Sequence, residues 1–186
     1  LCRKYGIIRC PTLDDLIETA LAFQAGRLPK GPRIAMAGFS GGAKGMFLDF
    51  AEDEGAELAA LSPETAAAIA ERVDSNVPAE SPLDIGAAAS RDPGNYTEIC
   101  RLLIADPGVD LITLQGQLPV RPEDADMDRL SYPTITAVND KPILMLGRTG
   151  QNVTDEGRAF QDKAGVPFLQ GVPEIVRALQ GLVRYA

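Results

Sequence analysis

The 186-residue chain contains no histidine and no tryptophan, and it has no long apolar run. Without histidine it cannot form a Ser-His-Asp or Cys-His catalytic arrangement. Its apolar stretches are far shorter than the roughly 20 residues of a membrane-spanning helix, and no basic-then-apolar signal peptide opens the chain. These absences predict a cytoplasmic protein that neither hydrolyses substrates by itself nor enters membranes.

Basic residues and cysteines are also scarce. Lys and Arg number 18 against 26 Asp and Glu, which gives a net charge of -8 and argues against a nucleic-acid partner. The three cysteines, Cys2, Cys10 and Cys100, are odd in number and lack C-x-x-C spacing, so we expect neither a disulfide framework nor a metal site. With 45% apolar and 24% charged residues, the composition is that of a globular domain.

The first 30 residues differ from the rest of the chain. Residues 6–10 could form an edge strand, and Thr12 with Asp15 has capping-box spacing at the start of a helix that runs to about Gln24. The predicted buried stripe of this helix is Leu13, Leu16, Ile17, Ala20 and Leu21. A Gly/Pro cluster follows, so residues 1–30 are interpreted as an N-terminal appendage or the tail of a preceding domain, and residues 31–186 as the main domain. Because the first residue is Leu1 and not methionine, we expect the chain to be part of something longer.

Strand-like and helix-like segments then alternate, which is typical of βαβ units. The predicted strands are 34–37, 57–61, 109–114, 142–146 and 168–170. The predicted helices follow Ser40, Ser62 and Thr154, and cover 96–105, 123–130 and 173–184. This pattern predicts a flavodoxin-like three-layer α/β sandwich, with a five-stranded, mainly parallel sheet of order 2-1-3-4-5 and helices on both faces. The Pro- and Gly-rich residues 74–94 are predicted to wrap the sheet edge or line a site.

Residues 33–55 read as a buried strand, a glycine turn and a helix. Ala43, Met46, Phe47, Phe50 and Ala51 have the spacing of one apolar helix face. The amides at the start of this helix would lie at the positive end of its dipole, where anions bind. The candidate phosphate-binding residues are therefore Ser40, Gly41, Gly42, Ala43 and Lys44. A purely structural turn is an equally good interpretation of the same glycines.

Known nucleotide motifs do not match this turn. A Walker A loop would need glycine at Ala43 and a hydroxyl at Gly45, and the third strand ends in Gln115 rather than an aspartate. The dinucleotide fingerprint, the aromatics of a flavin site and the acidic pair of a receiver domain are also missing. Other residues predicted to border the site are Gly38, Phe39, Asp84, Gln115 and Gly147, with Arg148 as a further candidate for phosphate contact.

Six segments stand out when the chain is read in order: GIIRC-PTLDDLIETALAF, RIAMAGFSGGAKGMFLDFAEDEGAELAALSPET, SPLDIG, DLITL, KPILML and DEGRAFQDKAGVPFLQGVPEIVRAL. Together they resemble the NDP-forming acyl-CoA synthetases of the succinyl-CoA synthetase superfamily, and the ADP-forming acetate-CoA ligases in particular. The resemblance covers nearly the whole chain and is to the second flavodoxin-like ligase domain. Ser81 departs from the asparagine that is usual in the S-N-P-x-D loop of such enzymes.

In such enzymes, acyl-CoA, phosphate and a nucleoside diphosphate exchange with the free acid, the nucleoside triphosphate and CoA through a phosphohistidine. The resemblance implies that Ser40 to Ala43 stabilise that phosphohistidine, which another domain must supply. In the family, the phosphohistidine loop lies just before the segment that matches residues 1–25. The resemblance therefore implies a phosphohistidine upstream of Leu1 and no catalytic residue within this chain.

The resemblance further implies three partners: a CoA-binding Rossmann domain, a phosphohistidine-bearing ligase domain and an ATP-grasp domain. CoA, ATP or ADP, and Mg would bind there and not on this domain. By this interpretation the isolated chain should be inactive, and it could be a homo-oligomer.

Two alternatives remain open. One is a non-catalytic α/β interaction or structural module of a multidomain CoA enzyme, and the other is a small-molecule sensor domain.

Overall fold

Five short parallel strands form the centre of the molecule. The computed structural model describes residues 2–74, 76–86, 92–116, 118–121, 135, 140–147 and 153–186. The strands are β1 (Ile34–Gly38), β2 (Leu83–Asp84), β3 (Leu111–Gln115), β4 (Ile143–Gly147) and β5 (Phe168–Gln170). All pair in parallel, in the order β2-β1-β3-β4-β5. Strands β1, β3 and β4 are buried along their whole length, as a parallel sheet covered on both faces requires.

Six α-helices in the described residues cover the two faces. They are α1 (Leu13–Ala22), α2 (Gly41–Glu54), α3 (Pro63–Ala70), α4 (Pro93–Ala105), α5 (Asp155–Ala164) and α6 (Val172–Tyr185). Helices α1, α2 and α6 cover one face of the sheet, where their buried residues pack with Met36 and Leu144. Helices α3, α4 and α5 pack with Ala35 and Met145 on the other. This arrangement confirms the predicted α/β fold and strand order.

Side-chain caps begin the helices where the sequence predicted them. Thr12 and Asp15 form the reciprocal capping box of α1. Ser62 caps α3 with Pro63 in its first turn, and Thr154 caps α5. The predicted helix over 123–130 lies outside the described residues. Among the described residues, no helix is long and apolar enough to cross a membrane.

The prediction of the second strand was wrong in position. Residues 57–61 form only one bridge to the sheet, in which Ile34 N donates to the Glu57 carbonyl and Ala59 N donates to the Ile34 carbonyl, both at 2.8 Å. The chain then leaves the edge to begin α3. The rest of that edge is completed by β2, which pairs with Ala37 and Gly38 and comes from the Pro- and Gly-rich segment predicted to wrap the sheet.

Two predictions for the N-terminal residues were also wrong. Residues 6–10 form no strand and instead pass close to α6, where Ile8 lies beside Gly181. Four of the five residues of the predicted buried stripe of α1 are exposed, and the fifth, Leu21, is partly buried against the core. The buried residues of α1 are Asp15, Thr19 and Ala22. The reason is a hydrogen-bonded ion pair between Asp15 and Arg177 of α6, which turns the polar side of α1 inward. The division of the chain into residues 1–30 and a main domain of residues 31–186 stays a prediction.

Helix α2 shows a smaller departure of the same kind. Ala43, Phe47 and Ala51 are buried as predicted, but the side chain of Met46 is 47% exposed. Phe50 is only partly buried against the core. The apolar face of α2 is therefore narrower than the sequence spacing indicated.

An ion pair joins the starts of β1 and β3. Asp110 accepts hydrogen bonds from the Arg33 backbone amide (3.0 Å) and from the guanidinium Nε (2.8 Å) and Nη2 (2.9 Å). The hydrogen bond from the Arg33 side chain is the main reason that the pKa of Asp110 lies below its usual value. Because the folded pKa is lowered, this carboxylate stabilises the fold above the unfolded pKa, about 3.9, and that contribution is lost as the pH falls through the folded pKa.

We therefore predict that Asp110→Asn lowers the free energy of unfolding by about 1–2 kcal/mol at pH 7, allowing for the partly exposed Arg33. Urea titrations from pH 7 to pH 2 should show the gap to wild type closing in acid. Asp140→Asn is the matched control, since Asp140 pairs with Lys30 in an exposed ion pair and should change stability far less. An Asp110→Asn penalty that stayed constant across this pH range would contradict the assignment.

Candidate anion site at the start of α2

The start of α2 presents two backbone amides to solvent. Ser40 caps the helix: its Oγ accepts from Ala43 N at 3.3 Å, and its carbonyl accepts from Lys44 N at 2.9 Å. Within the described residues, the amides of Gly41 and Gly42 donate to no protein acceptor, and both glycines are exposed. The amides of Ala43 and Lys44 are used within the turn, whereas those of the exposed Gly41 and Gly42 are open to an external acceptor.

Lys44 forms an ion pair with Glu80. Its Nζ lies 3.2 Å from a carboxylate oxygen of Glu80, and the lysine side chain is only 19% exposed. Glu80 belongs to the segment that leads into β2, so the ion pair ties this segment to α2. The structure therefore gives Lys44 a contact that the sequence analysis did not foresee.

Asp84 places a carboxylate beside Gly41 at the start of α2. Its Oδ1 accepts from Gly86 N at 3.1 Å. Its Oδ2 lies 3.2 Å from the point that a Cβ on Gly41 would occupy. The site therefore combines amide donors with a neighbouring hydrogen-bond acceptor, and its net field is less positive than a bare helix N-terminus would give.

Behind the helix start, Gln115 clamps β1 to β3. Its Oε1 accepts from Phe39 N at 2.9 Å, and a Cβ on Gly38 would lie 2.5 Å from that same oxygen. Tyr96 reinforces the clamp: its hydroxyl donates to the Gln115 carbonyl at 3.3 Å, and its ring packs on Phe39 at 4.7 Å between centroids. This clamp spans the carboxyl ends of β1 and β3, where doubly wound sheets usually hold ligands.

The structure brings together most of the predicted site residues, but not all. Gly38, Phe39, Asp84 and Gln115 surround the start of α2. Gly147 ends β4, which is separated from β1 by β3, so it does not reach the helix start.

Two further predictions fall on residues that the structure does not describe. Arg148, the candidate for phosphate contact, lies outside the described residues, and so does Leu1. The phosphohistidine expected upstream of Leu1 therefore stays a prediction, and the geometry of the site rests on the residues around α2 alone.

Glu80 and Tyr96 also contribute to the site, although neither was predicted from the sequence. Tyr96 lies in α4, and its ring is fully buried. A buried tyrosine needs a hydrogen-bond partner for its hydroxyl, and that need was the signal that could have indicated a contact for Tyr96. Among the described residues, no group of three or more His, Cys, Asp or Glu side chains could hold a metal ion.

No protein-family model matches the chain. Three curated relatives align with nearly all of it. Trans-feruloyl-CoA synthase from an unknown prokaryotic organism is 28% identical over 98% of this chain and 26% of the relative. The alpha subunit of ADP-forming acetate-CoA ligase II of Pyrococcus furiosus is 25% identical over 99% of this chain and 40% of the relative. ADP-forming acetate-CoA ligase II of Archaeoglobus fulgidus is 25% identical over 100% of this chain and 28% of the relative.

Solved structures share the fold. PH0766 from Pyrococcus horikoshii OT3 superposes with a TM-score of 0.81 at 24% identity, covering 100% of this chain and 42% of that one. The apo form of dinucleotide-forming acetyl-coenzyme A synthetase 1 from Ca. Korarchaeum cryptofilum gives 0.76 at 22% identity, covering 99% of this chain and 40% of that one.

The chain thus shares its fold with these two structures. The chain is related along its whole length to the ADP-forming acetate-CoA ligases, which confirms the resemblance drawn from the sequence. It spans only 26% to 40% of the length of these curated relatives. The full enzymes therefore contain further domains or subunits.

The Gln115 clamp predicts that position 38 must stay glycine. A Cβ there would lie 2.5 Å from Gln115 Oε1 and 3.1 Å from Gln115 Cβ, so Gly38→Ala must displace the side chain that accepts from Phe39 N. We expect the free energy of unfolding to fall by about 1–3 kcal/mol in urea titrations. Gly45→Ala is the matched control, because that helical glycine has open space and should gain up to about 1 kcal/mol. Wild-type stability of Gly38→Ala would contradict the clamp.

Proposed function

We propose that this chain is a ligase domain of an NDP-forming acyl-CoA synthetase, which converts acyl-CoA, NDP and phosphate reversibly to the carboxylic acid, NTP and CoA. Its part in the reaction is to stabilise a phosphorylated histidine at the start of α2. The observation that carries this proposal is the pair of exposed, unpartnered amides of Gly41 and Gly42.

The physical basis is the helix terminus. Helix α2 is 14 residues long, and its aligned peptide dipoles place roughly half a positive charge at its first turn. Two N–H groups directed at one phosphoryl oxygen would add charge-assisted hydrogen bonds to that field. Because the Gln115 clamp lies behind the turn, we expect the phosphoryl group to approach from the solvent side.

The phosphorylated residue must come from elsewhere, since the chain has no histidine. We therefore propose that another domain of the enzyme carries it. CoA, the nucleotide and Mg would bind on the CoA-binding and ATP-grasp domains, and this chain alone should turn over no acyl-CoA.

Asp84 favours phosphohistidine over free phosphate as the ligand. A carboxylate beside the amides repels a free phosphate dianion. When the second ring nitrogen of a phosphohistidine is protonated, its N–H can donate to a carboxylate while the amides bind the phosphoryl oxygens, and a nearby carboxylate favours that protonated form. The donor pair and the acceptor together therefore match both ends of that residue.

Asp84 also supports one alternative function. Its carboxylate could itself serve as the anion at the positive end of α2, so that the glycine turn is purely structural. The chain would then be a non-catalytic module that holds a multidomain CoA enzyme together. The two functions predict different results for substitutions at positions 42 and 84.

The first test is Gly42→Asp in the complete enzyme. The new carboxylate would occupy the anion position and repel the phosphoryl group, so we expect at least a tenfold loss of phosphoenzyme formed from radiolabelled ATP. The fold should not suffer, because an acidic residue in the first turn of a helix is stabilising by about 0.3–1 kcal/mol.

Gly42→Asn is the matched control, since asparagine has nearly the same shape without the charge. It should retain clearly more phosphoenzyme than Gly42→Asp. Wild-type levels of phosphoenzyme in Gly42→Asp would overturn the proposed role and leave the structural module as the better interpretation.

The second test is Asp84→Asn, which keeps an oxygen to accept from Gly86 N. The phosphohistidine proposal predicts lower phosphoenzyme yield, because a neutral amide oxygen is the weaker acceptor for a ring N–H. The structural alternative predicts reduced thermal stability of the 186-residue chain with phosphoenzyme unchanged. Measuring both quantities on the same variant separates the two.

A further inference from the structure

Most of the apolar stripe of helix α1 faces solvent, whereas Asp15 and Thr19 face the protein. Leu13, Leu16 and Ile17 are 75%, 52% and 61% exposed, and Ala20 on the same stripe is also exposed. We call these four residues the α1 outer face. A surface helix ordinarily buries its apolar stripe, so this orientation is the reverse of the usual one.

Specific polar contacts hold α1 in that orientation. Asp15 is 1% exposed; its Oδ1 accepts from Arg177 Nε at 2.5 Å, and its Oδ2 accepts from the Thr12 hydroxyl at 2.8 Å. Burial alone would raise the pKa of Asp15, but the hydrogen bonds from Arg177 and Thr12 outweigh it and lower the pKa. The carboxylate is therefore ionised and paired at neutral pH.

A second anchor lies one turn further along α1. Glu18 accepts from the backbone amide of Gln170, at the end of β5, at 3.1 Å. Rotating α1 to bury its leucines would remove both carboxylates from their donors and leave the Arg177 guanidinium without Asp15. Because breaking a buried charge pair is strongly destabilising, the apolar face is fixed outward by the fold.

We propose that the α1 outer face is the docking surface for another domain of the same enzyme. This proposal rests on the kinship with longer enzymes and does not depend on the phosphohistidine role. The relatives devote only 26% to 40% of their length to the matching region, so further polypeptide is present to cover the face.

The size of the face favours a covalently joined partner. A stable interface between separate proteins needs about 20–30 residues on each side, far more than one helix stripe supplies. A domain on the same polypeptide is held at an effective concentration in the millimolar range, where a small apolar contact is enough to keep it docked.

Charge argues against a second copy of this chain. Each copy carries a net charge of -8, and Asp14 lies beside the stripe, so two such surfaces would repel each other. The complementary partner surface is apolar at its centre with basic residues at its rim.

A photo-crosslinking residue placed at Leu16 in the complete enzyme tests this directly. Leu48 is the matched control, because it is an exposed leucine on α2, outside the α1 outer face. We expect position 16 to give at least about ten times more crosslink than position 48, and peptide mass spectrometry to locate it on a different domain of the same enzyme. Crosslinks to position 16's own region in a second copy, or equal yields at the two positions, would overturn the proposal.

A double substitution supplies an independent measurement. Leu16→Ser with Ile17→Ser should leave the unfolding midpoint of the 186-residue chain unchanged, since both side chains are exposed there. In the complete enzyme the same change should lower the unfolding midpoint and increase cleavage between domains by limited proteolysis. Equal effects in chain and enzyme would contradict docking, whereas failure of the Gly42→Asp test would leave this result unaffected.

Discussion

Completion of the open edge of β1 is the constraint on which the arrangement of the candidate site depends. Three separate pieces satisfy that edge: the bridge at Leu58, the Ser81 hydroxyl that accepts from Met36 N at 3.1 Å, and β2. Since β2 pairs Asp84 with Gly38, the backbone hydrogen bonds of the sheet carry this carboxylate to the first turn of α2. The acceptor beside the free amides is thus a consequence of how the edge is closed.

On the side of β1 that faces β3, a side chain limits access to the glycine turn. There Gln115 reaches across from β3, bonds to Phe39 N and fills the space over Gly38. One flank of the glycine turn therefore acquires a polar group while the other is closed by a side chain. The outward side of Gly41 and Gly42 stays exposed, and the proposed ligand on another domain would approach from there.

The features that could be predicted from the sequence are those decided by neighbouring residues. Apolar runs predicted four of the strands, and Thr12, Ser40, Ser62 and Thr154 predicted helix starts, because caps and strand burial depend on local chemistry. The two-residue β2 could not be found this way, since it is defined only by its pairing with β1. The orientation of α1 depends on a contact between residues 162 positions apart, so sequence periodicity indicated the wrong side of this helix. Likewise, the ion-pair partner of Lys44 is Glu80, which lies in a distant segment that local patterns do not connect to the lysine.

Helix α6 relates the two surfaces proposed to meet other domains. It lies between α1 and α2 in one layer, and it runs parallel to α1, because Asp15 meets Arg177 and the ring of Phe23 meets that of Tyr185. Helices packed side by side are about 8–10 Å apart, so the α1 outer face and the start of α2 are separated by roughly two helix widths. A neighbouring domain docked on α1 would thus lie on the same layer as the exposed amides of Gly41 and Gly42. The ion pair that fixes α1 on α6 would then also help to set the position from which a phosphorylated histidine approaches the site.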